Sequence, residues 1–331
     1  MGTGVSGHWA VFLQRAFLQK AKRHWGRVAG VVVTLAVAAF LARYAVGDYR
    51  ELSKVRVALH GGWLGVAVPA SVAAGLALAL GWRRMLGAWG ARIGRAAAVR
   101  VWWRSQASRY LPTGAFAVAS REVLAGRAGV PRSLGATSNV VELAVLLAWG
   151  AVVTGVALPS NVLAVPARVV VAAAGVAALA VLPWGMRLVA ALVPRLVPRL
   201  AARVPALADT GGSPGAIYAA CAVYGASVVA KSGAFALMAA GMLSVHPSDI
   251  GLLLGAVQGA SIVGVLSVAP AGIGVREALM IVLLGPRFGA GDALAVAVAW
   301  RAWELAFELV WLAVGVAVSR PARRKAVPLA E

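Results

Sequence analysis

Uncharged runs dominate this chain. Residues 30–40 read Gly-Val-Val-Val-Thr-Leu-Ala-Val-Ala-Ala-Phe, and blocks of the same character recur to the end. A bilayer core takes a helix of about 20 apolar residues. Lipid offers no partner to backbone N–H or C=O groups, so each such block must close its hydrogen bonds within itself, as a helix. A transmembrane β-barrel would alternate apolar and polar residues, and this stretch does not. Composition agrees: 61% of residues are hydrophobic and 13% charged, against about 25% charged in soluble domains. The mean hydropathy is +0.83. The expected class is an all-α polytopic membrane protein.

Six spans stand out, at about 26–47, 57–82, 135–157, 164–186, 215–242 and 292–318. Two further apolar segments, about 101–125 and 250–286, are broken by Pro and Gly. The expectation is therefore six to eight transmembrane helices in one domain, 26–318. Residues 1–25 form a basic amphipathic segment on the cytoplasmic surface, and 319–331 a basic tail. The formal net charge is +21, but Arg and Lys gather at block ends. That distribution speaks for membrane orientation and against nucleic acid. Segments 1–27, 83–132, 187–214 and 319–331 hold 23 Lys and Arg, and the alternate loops hold four. Both termini are thus expected in the cytoplasm of a multi-pass cell-membrane protein. The Ala-, Gly- and Arg-rich usage suggests a bacterium. Trp102 and Trp103, beside Arg100 and Arg104, read as an interfacial belt. Cys221 is the only cysteine, and the scattered histidines show no metal-ligand spacing. No metal and no cofactor are expected.

The chain reads as two related halves, about 26–157 and 164–318. The first interrupted segment holds Pro112-Thr-Gly114 and then Arg121-Glu122; the second holds Pro270-Ala-Gly272 and then Arg276-Glu277. Each is followed by a long block with an acid, Glu142-Leu-Ala to Trp149 and Glu304-Leu-Ala to Trp311, at equal spacing. Three true spans per half would set the halves in opposite orientation, as an inverted repeat. The interrupted segments would then be re-entrant hairpins dipping in from opposite faces. The alternative, that 250–269 and 273–289 each cross fully, stays open.

Charges inside apolar blocks mark where chemistry can occur. Glu142, Lys231, Arg276, Glu277, Arg301, Glu304 and Glu308 all fall there. Each costs about 2.5–3.5 kcal/mol at mid-bilayer if left unpaired, so they must pair or line water. Arg301, Glu304 and Glu308 share one helical face, where Arg301 can bridge two carboxylates. This is either a polar track for a headgroup or a buried clamp. At each P-x-G turn, Pro ends a half-helix and Gly lets backbone approach closely. The helix that follows presents free N–H groups to an anion. Pro270, Gly272, Gly274 and Arg276 are the candidate phosphate site, with Pro112, Gly114 and Arg121 as counterparts. Glu277 and Glu122 would hold the arginines or cap donors. Gly251, Gly255 and Gly259, spaced by four, read as a packing face.

The stretches Arg109-Tyr-Leu-Pro-Thr-Gly114 with Arg121-Glu122, and Val268-Ala-Pro-Ala-Gly-Ile-Gly-Val-Arg-Glu-Ala278, resemble the transmembrane region of lysylphosphatidylglycerol synthases, a flippase-like family also called UPF0104. The likeness spans roughly 26–318, and Thr113 departs from the Gly of many relatives. It implies an integral membrane protein that binds or moves anionic, aminoacylated or lipid-linked phosphate headgroups. The chain stops 13 residues after its last span, so lysine transfer from tRNA by a soluble domain is not expected. The leading reading is a lipid translocase with no catalytic residues. Two others remain: a membrane-embedded transferase using Glu304 or Glu142 as base, and a non-transporting partner of a separate synthase or glycosyltransferase.

Overall fold

The computed structural model describes residues 60–106, 115–196, 213–267, 269 and 272–317. Among them are nine α-helices, one 3-10 turn and no strand. They are α1 (Gly61–Ala88), α2 (Arg95–Gln106), α3 (Ala115–Arg127), α4 (Arg132–Ala157), α5 (Val165–Leu196), α6 (Pro214–Ala240), α7 (Ile250–Leu266), α8 (Val275–Phe288) and α9 (Ala290–Ala317). The protein is thus all-α and polytopic, as its apolar blocks require. The expected span at 26–47, the amphipathic segment 1–25 and the tail 319–331 lie outside the described residues.

Helix length separates two kinds of element. Helices α1, α4, α5, α6 and α9 have 26 to 32 residues. At 1.5 Å per residue each exceeds the roughly 30 Å hydrocarbon core. Helices α2 and α3 have 12 and 13 residues, or about 20 Å each, too little to cross. Helix α8 has 14 residues, about 21 Å. Its partner α7 has 17 and is apolar enough to span, but the pair is clasped at its open end. There Arg287 Nε lies 2.7 Å from Asp249 Oδ1, and its terminal nitrogen 2.9 Å from Oδ2. The closed end reaches the level of Glu304, 14 residues or about 21 Å along the 28-residue α9. So α7 and α8 form a hairpin clasped at Asp249 and Arg287, with its closed end beside Glu304.

The tip explains two glycines of the motif. Gly272 has φ of 66° and Gly274 of 81°, a region open to Gly at little cost. A Cβ on Gly272 would also stand 2.9 Å from the backbone of Gly264 in α7. The stem of Arg276 lies across Gly264 as well. Glu277, at the third position of α8, accepts from the Gly274 N–H and caps the helix.

The halves repeat in opposite senses. The second spans of each, α1 and α6, run antiparallel: the His60 N–H donates to Gly241 O at 2.9 Å, and Ser227 Oγ to Ala74 O at 2.9 Å. Trp149 of α4 sits on Gly225 of α6, where a Cβ would come within 2.5 Å of the ring. Trp311 of α9 sits on Gly75 of α1, where a Cβ would come within 2.6 Å of Nε1. The last turns of α4 lie on Gly251 and Gly255 of α7. Those of α9 lie on α2, with Trp311 stacked on Trp103 at 5.3 Å. Each half thus closes its hairpin on its own long helix and packs the end of that helix on the other half's hairpin. Two hairpins entering from opposite faces are what an inverted repeat produces. Small residues at the crossings permit the close approach, as membrane packing favours.

Candidate functional site

The seven charges singled out in the apolar blocks, together with Arg121, gather in two clusters, one in each half. In the first, Arg121 of α3 meets Glu142 of α4, Nη1 to Oε1, at 2.7 Å. Two more donors fill the other carboxylate oxygen: Trp102 Nε1 at 2.8 Å and the Tyr224 hydroxyl at 2.8 Å. Arg121 Nε donates to Ser105 Oγ at 3.1 Å. The guanidinium also faces the rings of Trp82 and Trp102, 5.8 and 5.4 Å from their centroids, as a cation–π pair would. The Arg121 and Glu142 side chains are only 2% and 6% exposed. Trp102 and Trp103 are buried too. They are not an interfacial belt, because the α2–α3 hairpin turns them inward onto α4 and α9.

The second cluster is built from four helices. Glu304 of α9 takes Lys231 Nζ from α6 at 2.6 Å and an Arg276 terminal nitrogen from α8 at 3.0 Å. Arg301 Nη1 stands 3.9 Å from Glu304 Oε2. Its Nε stands 3.9 Å from Glu277 Oε1, so Arg301 stands between Glu304 and Glu277. Ser261 of α7 receives a long 3.4 Å contact from Arg276. Three cations therefore converge on one carboxylate. Lys231 is 34% exposed, Arg301 16%, Arg276 13% and Glu304 11%. The buried Arg276 Nε has no hydrogen-bond partner among the described residues. Lys231 lies nine residues, about 14 Å, from the end of α6. A charge at that depth needs water or an anion beside it.

The residues expected from sequence divide accordingly. Arg276, Glu277, Arg301, Glu304 and Lys231 come together around the tip of the second hairpin, close to Gly272 and Gly274. Glu308 is half-buried one turn beyond Glu304 and adds a third carboxylate to the field at Arg276. Arg121 and Glu142 stand apart in the first cluster. Glu122 is half-buried where its backbone meets Gly135. Pro112, Gly114 and Pro270 lie outside the described residues. Gly251, Gly255 and Gly259 are packing positions against α4.

Several participants were not legible in the chain. Tyr224, Ser105 and Ser261 carry no local signal. Gln258 bonds Ser232 of α6 at 2.7 Å, not a partner within its own hairpin. A hint did exist for Tyr224: it precedes Lys231 by seven residues and so shares its helical face. One helix, α6, thus touches both clusters two turns apart. Among the described residues no three His, Cys, Asp or Glu are grouped as a metal site would need.

A family model, the lysylphosphatidylglycerol synthase TM region, matches residues 27–311. No curated protein and no solved structure matches the chain.

Proposed function

Since the chain belongs to the lysylphosphatidylglycerol synthase transmembrane-region family, we propose that it is a lipid translocase that receives a phosphate-bearing headgroup at the Arg276–Lys231–Arg301 cluster. The family places it among multi-pass membrane proteins concerned with lipid modification or translocation. The observation that carries the finer reading is the convergence of three cations on one carboxylate, midway along α9 and partly open. Guanidinium groups bind phosphate in a fixed fork and an ammonium adds a point charge. The unused Arg276 Nε leaves a donor for such a ligand. Rocking of one inverted half against the other is the motion that would expose the site alternately.

Purified protein in liposomes with headgroup-labelled phosphatidylglycerol tests this. Transfer between leaflets should exceed that of protein-free liposomes and fall to that background in Arg276→Ala. Equal rates with and without protein, across anionic, aminoacylated and polyprenyl-phosphate lipids, would sink the translocase reading.

A further inference from the structure

In the structure, the place where a headgroup phosphate would sit is already occupied by an anion of the protein's own. Lys231, Arg276 and Arg301 come from α6, α8 and α9, and all three meet Glu304. A carboxylate presents two oxygens and one charge, which is also what a phosphodiester presents to a guanidinium. We infer that Glu304 is an internal stand-in for the ligand: a headgroup phosphodiester binds by displacing the Glu304 carboxylate from these cations. This rests on the translocase reading and names its ligand class, a singly charged phosphodiester of a lipid headgroup.

Charge balance supports the exchange of one anion for one anion. The cluster holds Lys231, Arg276 and Arg301 against Glu277, Glu304 and Glu308. Glu277 cannot be the group that leaves, because it caps the Gly274 N–H and its loss would uncap α8. Glu308 lies one turn beyond Glu304 and acts on Arg276 through its charge. Glu304 touches all three. Glu304 takes up a proton as it leaves the cations, so a monoanion in its place keeps three positive charges opposite three negative ones, and a dianion would not. Glu142 differs, because tryptophan and tyrosine donors as well as Arg121 hold it, and no second cation is released when it moves.

The test measures binding of dihexanoyl phosphatidylglycerol, dihexanoyl phosphatidylcholine and inorganic phosphate to the full chain in detergent. Glu304→Gln removes the competing charge and keeps the shape. It should bind the phosphatidylglycerol about tenfold tighter or more than the parent, while Glu142→Gln gains nothing. Equal or weaker binding by a folded Glu304→Gln protein overturns the stand-in. Preferential gain for inorganic phosphate would overturn the lipid assignment. A second measurement needs no variant at the site. An apolar carbodiimide modifies free carboxyls, and labelling of Glu304 in the parent, read by mass spectrometry, should rise when phosphatidylglycerol is added. Unchanged labelling at saturating lipid counts against displacement. If instead Arg276→Ala binds as well as the parent, the anion site itself fails, and the translocase reading loses its carrying observation.

Discussion

Arg121–Glu142 and Arg276–Glu304 are counterparts. Each joins the arginine of an Arg-Glu pair, on the second helix of a hairpin, to an acid seven residues before a tryptophan on the next long helix. Their surroundings differ. Glu142 is held by two neutral donors and one cation, which Trp82 and Trp102 roof, and is sealed. Glu304 is held by cations alone, one of them a lysine whose side chain is a third exposed. Neutral donors satisfy a buried carboxylate without leaving surplus charge. Several cations around one carboxylate are satisfied only while it stays, and are ready for another anion when it goes. The same motif has become a structural clasp in one half and a candidate binding site in the other.

The contrast is sharpest in access to water. In a Cys221→Ser background, Lys231→Cys should react with a charged maleimide from the aqueous phase, whereas Tyr224→Cys, two turns away on the same helix, should not. Equal reactivity would erase the distinction between sealed and open. Stability gives the next largest effect. Arg121→Ala leaves a buried carboxylate short of its cation and should cost about 3–5 kcal/mol, seen as a loss of thermal stability in detergent. Arg276→Ala leaves Glu304 with Lys231 and Arg301 and should cost clearly less; an equal loss would make both clusters structural. Tyr224→Phe removes one hydrogen bond to a charged acceptor, worth about 1.5–3 kcal/mol, and should leave lipid transfer intact. The smallest effect belongs to the clasp at the hairpin mouth. Asp249→Asn should shift the thermal midpoint only marginally, because an exposed arginine partner is already well solvated.

Much of this was readable from residue order. The long apolar blocks became α1, α4, α5, α6 and α9, with α4, α6 and α9 ending close to where expected and α1 and α5 running six and ten residues further. The paired P-x-G and Arg-Glu motifs located both hairpins, and equal Glu-to-Trp spacing identified α4 and α9 as counterparts. Lys231 and Glu304 were both flagged as charges that must find partners, and they found each other. Trp102 misled, because a tryptophan between arginines looks the same at an interface as on the inner side of a short hairpin. Tyr224 and Ser261 stayed hidden because a hydroxyl in an apolar helix announces no partner.

Membrane helices are a local consequence of sequence, since lipid forces each segment to satisfy its own backbone. Length, apolarity and the Pro-Gly breaks therefore fixed the element types and the two-half plan without reference to any neighbour. Which arginine would be entombed and which left partly open was not local. It depended on what α6 carried opposite each acid, a tyrosine at one level and a lysine two turns away, and only packing the two halves together brought those side chains to Glu142 and Glu304.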